Sequence, residues 1–169
     1  EAEERVNYFL KIKETEEFMN LEKLYENGLS PVEREKLSIA LRGKNNISDY
    51  LREMIHNAKK EVIICLHVEE FKSKMKLFQQ IIAYLIKEKI NLNLVLSGDF
   101  NIIKQVEKEL GVKIKKTDIE SKFFIVDKKE ILLYMSRHTD EEDLAIWLNS
   151  DFFSNAFASL FERALEVKQ

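Results

Sequence analysis

Cysteine, proline and glycine are scarce in this sequence of 169 residues, which has one cysteine, one proline and four glycines. A single cysteine excludes an internal disulfide and a cysteine-rich zinc site, and we expect a reducing, cytoplasmic location. So little glycine and proline leaves no material for long flexible linkers or low-complexity segments. No uninterrupted apolar stretch reaches the length of a membrane span, and we expect no membrane partner. With 45% hydrophobic and 34% charged residues, the composition predicts one sizeable, well-packed domain.

Several common functional motifs are also missing. The sequence has neither of the glycine-rich phosphate loops G-x-G-x-x-G and G-x4-G-K-[ST], and it has no G-x-S-x-G elbow. Its three histidines, His56, His67 and His138, do not have the spacing of metal ligands. We therefore expect no cofactor and no metal site. The formal net charge of −3 is not that of a general nucleic-acid binder.

What the sequence does contain is an alternation of apolar strands and amphipathic helices. The runs "EVIICLHV", "NLNLVLSG" and "GVKIKKT" predict strands separated by helices, and "KFFIVD" and "EILLYM" predict a hairpin with its turn at Lys128 and Lys129. "DLAIWLNS" predicts a further strand, and Ser150 is positioned to cap a last helix. This order predicts an α/β domain over residues 37–169, with a mixed, mostly parallel sheet and helices on both faces. Residues 1–36 are predicted to form a helical segment that includes a long N-terminal helix.

The segment "ESKFFIVDKKEILLYMS", residues 120–136, is similar to the signature of the phospholipase D superfamily, H-x-K-x4-D followed by a glycine-serine pair. That chemistry needs the histidine as a nucleophile and the lysine to neutralise phosphate oxygens. Lys122 and Asp127 match the signature, but Glu120 replaces the histidine and Tyr134-Met135 replaces the glycine-serine pair. A carboxylate repels phosphate and is a poor substitute for imidazole. We therefore expect that the chain is not an enzyme and has no catalytic residues.

Three longer stretches, "LRGKNNISDYLREMIHNAKKEVIICL", "KFFIVDKKEILLY" and "LAIWLNSDFFSNAFASLFERAL", resemble in order and spacing the C-terminal domain of TrmB-like archaeal transcriptional regulators. The resemblance covers roughly residues 37 to 165. It implies a phospholipase D-like domain without catalysis that senses an effector. In that family a winged-helix domain binds DNA and a following helix dimerises. Residues 1–27 match the position of this helix, so we expect a homodimer through it, with the winged helix absent from this fragment.

A ligand site is expected where the carboxyl ends of the strands meet, because ligands of open α/β sheets bind there. The side chains predicted at that edge are His67, Ser97, Asp99 and Asn149, and Lys122 joins them if the hairpin lies as in the family. A lysine beside a serine and a helix N-terminus makes an anion site. We therefore expect a small, polar or anionic metabolite as the effector.

Two other interpretations stay open on the sequence. The chain is a phosphodiesterase or nuclease with an atypical nucleophile, for which His67 and His138 are the candidates near Lys122. Alternatively, it is a protein interaction module that pairs subunits and binds no small molecule.

Overall fold

The computed structural model describes residues 38–135 and 143–167. The chain divides into two units, Glu1–Leu37 and Ser38–Gln169, and every described residue belongs to the second. The predicted N-terminal helix and His138 lie outside the described residues.

The described residues form seven strands and five helices. In chain order they are β1 Ser38–Arg42, α1 Lys44–Asn57, β2 Glu61–His67, α2 Val68–Ser73, α3 Met75–Lys87, β3 Asn91–Ser97, α4 Phe100–Leu110, β4 Ile114–Thr117, β5 Phe123–Val126, β6 Glu130–Tyr134, β7 Leu144–Asn149 and α5 Asp151–Glu166. The predicted hairpin is β5 and β6, although its turn is centred on Asp127 and Lys128, both with positive φ, rather than on Lys128 and Lys129. None of the helices in residues 38–135 and 143–167 is long and apolar enough to cross a membrane.

One mixed sheet joins all seven strands in the order β1-β7-β6-β5-β2-β3-β4. Only the pairs β2–β3 and β3–β4 are parallel, and the other four pairs are antiparallel. The prediction of a mostly parallel sheet is therefore wrong. The parallel strands β2, β3 and β4 are joined by helical crossovers, whereas β5, β6 and β7 alternate in direction, and no helix lies between them among the described residues.

Helices cover both faces of the sheet, as predicted. β2 shows why: Val62 and Ile64 belong to one buried cluster, and Ile63 and Cys65 belong to another, because successive side chains of a strand point to opposite faces. The first cluster includes the apolar sides of α1, α2, α3 and α4. The second includes Ala158, Phe161 and Leu165 of α5, which is the helix on this face among the described residues.

Three features of the helices shape the packing on the sheet. α1 begins after Gly43, at φ 86°. The apolar positions from Phe71 to Leu85 are divided between two helices, α2 and α3, that meet at Lys74. The apolar residues of α5 are only partly buried, because Leu160 is 68% exposed. The buried side of α5 is turned toward the sheet by Ser154, whose hydroxyl donates to the carbonyl of Lys129 at 2.8 Å.

Candidate functional site

A cleft of about 550 Å³ opens at one edge of the sheet. It is lined by the side chains of Lys44, His67, Glu70, Lys74, Ser97, Glu120, Ser121, Lys122, Tyr134, Met135 and Asp143. These residues follow β1, β2, β3 and β6 or precede β5 and β7. Because β5 and β7 run opposite to the other strands, their first residues lie at the edge where the other strands end. The topology thus brings together residues that are far apart in sequence.

Lys122 is the cation at the centre of the cleft, and its ammonium group is paired with Glu70. The Nζ atom donates to Oε1 of Glu70, and this oxygen also accepts from Lys74 Nζ at 3.3 Å. The Glu70 side chain is only 7% exposed and the Lys122 side chain 18%. One carboxylate therefore pairs with two ammonium groups in surroundings that are largely shielded from water.

The pKa values in this cluster follow from burial and charge. Burial alone would raise the pKa of Glu70, but the hydrogen bond from Lys122 and the charges of Lys122 and Lys74 hold that pKa below its ordinary value. Burial lowers the pKa of Lys122, and the Glu70 carboxylate opposes this shift. The carboxylate is thus kept ionised by its partners.

Tyr134 closes the other side of the ammonium group. Lys122 Nζ lies 3.9 Å from the centroid of the Tyr134 ring, a cation–π contact. Burial, followed by the carboxylates of Glu70 and Asp143, raises the pKa of the Tyr134 phenol. The phenol consequently stays neutral and contributes a π face to the cleft.

Ser97 contributes a hydroxyl group with an unfilled hydrogen-bonding capacity. The residue is 2% exposed at the end of β3, and its Oγ atom has no hydrogen-bond partner within the described part of the chain. Leaving a buried hydroxyl unpaired costs about 1–3 kcal/mol. Such a buried group calls for an explanation, and a bound molecule that supplies the missing partner is one.

His67 faces the same cleft through a fixed ring orientation. Its Nδ1 accepts from the backbone N–H of Glu69 at 3.2 Å, so a neutral ring has its proton on Nε2. The ring packs against Gly98, where an added Cβ would lie 2.9 Å from Nε2. No hydrogen bond joins the imidazole to Lys122 among the residues described.

The structure brings three of the five predicted site residues to the cleft: His67, Ser97 and Lys122. Asp99 does not line it, because its carboxylate caps α4 by accepting from Asn101 N–H at 2.8 Å and Ile102 N–H at 3.1 Å.

The prediction that Asn149 lies at this edge is wrong. β7 runs antiparallel to β6, and β6 is parallel to β2 through two antiparallel steps, so the carboxyl end of β7 is at the opposite edge. Asn149 pairs there with Glu130.

The residues of the phospholipase D-like signature are separated by β5. Glu120 and Lys122 precede the strand and line the cleft, whereas Asp127 follows it at the far edge. The Asp127 carboxylate accepts from the backbone N–H groups of Lys59, Lys60 and Glu61, the shortest distance being 2.7 Å. In this chain Asp127 therefore ties the hairpin to the start of β2 and does not face the cleft.

Glu70, Lys44 and Lys74 were missed by the sequence reasoning. Only one signal pointed to Glu70: a charged residue sits between Val68 and Phe71, which are both buried. Its pairing with Lys122 spans 52 residues and depends on the sheet topology.

Residues 39–165 match the family described as the EBD N-terminal subdomain of the transcriptional regulator TrmB. This match covers well over half of the chain. No curated protein matches the sequence.

Several solved structures are similar to this chain. TrmBL2, an archaeal chromatin protein with a novel mode of DNA binding, is similar with a TM-score of 0.61 at 15% identity, over 98% of this chain and 65% of TrmBL2. Nuc from Salmonella typhimurium, a phospholipase D family member, has a TM-score of 0.55 at 9% identity over 77% of this chain and 94% of its own. NucT from Helicobacter pylori has a TM-score of 0.56 at 12% identity, over 77% of this chain and 96% of NucT. At these identities the likeness establishes a phospholipase D-like fold.

Proposed function

The chain belongs to the TrmB family of transcriptional regulators, and from this premise we propose that its cleft binds a small polar or anionic effector without catalysing a reaction. We further propose that residues 1–36 dimerise the regulator, and that a preceding winged-helix domain contacts DNA. The observation that carries the ligand proposal is the Ser97 hydroxyl, which is buried, unpartnered within the described residues and part of the cleft that Lys122 also lines.

The donors around the cleft support an anionic or strongly polar ligand. Lys122, Lys74 and Lys44 supply ammonium groups, and Ser97 and His67 supply further polar groups, while Glu70, Glu120 and Asp143 add carboxylates to the same lining. α1 begins at Lys44, and it has no side-chain cap and no acidic residue in its first turn. A free helix N-terminus carries a partial positive charge, which adds to the attraction for an anion.

A thermal titration of the purified chain with carboxylated and phosphorylated metabolites tests the proposal. A ligand that binds only the folded state stabilises it by about 2.7 kcal/mol at 100 times Kd. This corresponds to a rise in melting temperature of about 5–10 °C for a domain of this size. Absence of a shift with every compound of both classes contradicts the proposal.

Ser97→Ala provides the matched variant for this titration. Because the hydroxyl is unpaired in the ligand-free cleft, its removal should leave the melting temperature unchanged or raise it, while weakening the ligand by up to about tenfold. Ser159→Ala, at an exposed position of α5, is the control and should bind like the parent chain. If Ser97→Ala binds the ligand as tightly as the parent chain, the ligand is not held by the Ser97 hydroxyl.

The nuclease interpretation is favoured by the fold, which Nuc and NucT share. Against it, Glu120 occupies the position of the signature histidine, and the His67 Nδ1 atom is already engaged by its own helix. We expect no hydrolysis of bis(p-nitrophenyl) phosphate above the rate of the His67→Ala/His138→Ala double variant. Turnover that this double variant abolishes contradicts the non-catalytic proposal.

A further inference from the structure

Glu70 places a carboxylate of the protein itself against the cation of the cleft. Its Oε1 atom accepts from both Lys122 and Lys74, and its side chain is 7% exposed. A carboxylate is also the kind of group that an anionic ligand would present to Lys122. The ligand-free cleft is therefore already occupied at this cation by an internal anion.

The cleft carries both signs of charge, because Lys44, Lys74 and Lys122 line it together with Glu70, Glu120 and Asp143. Lys122 and Lys74 both pair with the carboxylate of Glu70, but the two lysines differ in exposure. Lys74 is 44% exposed and can remain paired with Glu70 while its head group moves in solvent. Lys122 is 18% exposed and is confined between Glu70 and the Tyr134 ring.

Ser97 supplies a second polar group in the cleft. Its hydroxyl has no partner within the described residues, although it lines the same cleft as Lys122 and Glu70. Glu70 therefore pairs with Lys122 and not with Ser97. An oxyanion that contacted both Lys122 and Ser97 would satisfy both groups.

Building on the proposed function, we propose that the effector binds through a carboxylate or phosphate group that exchanges with Glu70 for the Lys122 ammonium group. The incoming group pairs with Lys122 and Ser97, and Glu70 is left with Lys74. Glu70 thus acts as an internal competitor that weakens the binding of oxyanions. Because Glu70 lies on α2, directly after β2, the exchange also changes how this helix is held at the cleft.

Isothermal titration calorimetry of the full 169-residue chain with inorganic phosphate, and separately with acetate, tests the exchange and distinguishes the two oxyanion classes. Glu70→Gln retains the shape of the side chain but removes its charge, and it should bind the preferred anion about tenfold or more tightly than the parent chain. Glu88→Gln makes the same change in net charge at an exposed position at the end of α3, near the opposite edge of the sheet. This control should bind like the parent chain.

Glu70→Asp is the second variant, because loss of the carboxylate could prevent Glu70→Gln from folding. It keeps the charge but shortens the side chain by one methylene, so its hold on Lys122 is weaker. Its affinity for the anion should exceed that of the parent chain. Equal or weaker binding by both Glu70 variants, with measurable binding by the parent chain, overturns the exchange and leaves the proposed function standing. No binding of either anion by any variant overturns both.

Discussion

Glu130 begins β6 with a partly buried carboxylate beside Trp147, whose Nε1 donates to Oε2 at 3.4 Å. Burial raises the pKa of Glu130 above its ordinary value of 4.5, against the effect of the Trp147 hydrogen bond. A carboxyl group with a raised pKa stabilises the fold below its unfolded pKa, and that contribution is lost as the pH rises through the folded pKa. At pH 7 the charged Glu130 therefore disfavours folding.

Glu130→Gln should accordingly raise the free energy of unfolding at pH 7, because it removes the charge that burial disfavours. The difference from the parent chain should shrink toward zero below pH 4.5. Urea denaturation at pH 7 and at pH 4 measures it. A lower stability of the variant at pH 7 would contradict this account.

The pKa of Glu107 is shifted in the opposite direction to that of Glu130, so the same urea denaturation should give an effect of opposite sign. Its carboxylate accepts from the Ile114 N–H at 2.9 Å and from Lys104 Nζ at 3.0 Å, and these bonds hold its pKa below the ordinary value. Its contribution is present above its unfolded pKa and is lost as the pH falls through the folded pKa. Glu107→Gln should therefore lower stability at pH 7, and the difference should disappear in acid.

Residues within a few positions of a motif were predictable, and residues paired across the sheet were not. Lys122 was identified because it has a fixed offset from Asp127 in a known signature. Glu70 has no such offset, and its role depends on the antiparallel pairing of β5 with β2. Asn149 was placed at the wrong edge for the same reason, since its location depends on the direction of β7.

At the scale of the elements, the connection between β3 and α4 depends on Gly98. This residue has φ 111°, and an added Cβ would lie 2.8 Å from Val68 Cγ1 and 2.9 Å from His67 Nε2. Both the backbone conformation and the space therefore require glycine. The close approach also sets the position of the His67 ring in the cleft.

Gly98→Ala should destabilise the fold by about 2 kcal/mol or more, through backbone strain and overpacking. Gly111→Ala is the matched control, because Gly111 has φ 65° and open space around its Cα atom. The Gly111→Ala substitution should lower the free energy of unfolding by only about 1 kcal/mol. Thermal denaturation of both variants measures the difference, and equal losses would show that the contact with His67 and Val68 is unimportant.

Elements with local signals were the most accurately predicted. β2 and β3 are short apolar runs with polar ends, and Ser150 caps its helix as expected. The break between α2 and α3 has no such signal, because Lys74 interrupts a pattern that is otherwise continuous. The direction of most strands depends on pairings between distant segments, which explains the error in the sheet type.

At the scale of the whole molecule, α5 presents an exposed apolar side. Phe152 is 89% exposed, Leu160 is 68% exposed, and Val167, directly after the helix, is 86% exposed. This surface competes with residues 1–36 as an explanation for any self-association. The proposed dimer can therefore be assigned only by changing each segment separately.

Light scattering on the full chain should give a mass of about 40 kDa, twice the 20.0 kDa of one chain. Leu10→Asp in the N-terminal segment should yield a monomer, because a buried unpaired carboxylate costs several kcal/mol in an interface. Leu160→Asp should remain a dimer. A dimer that only Leu160→Asp dissociates would assign self-association to α5 instead.

Asp127 accepts hydrogen bonds from three backbone N–H groups, those of residues 59–61, and so has a structural role that does not depend on catalysis. This aspartate fastens two strands together at the edge remote from the cleft, so selection for folding alone is sufficient to retain it. A pattern search that depends on the lysine and this aspartate will recover a shared scaffold, whether or not its members cleave anything.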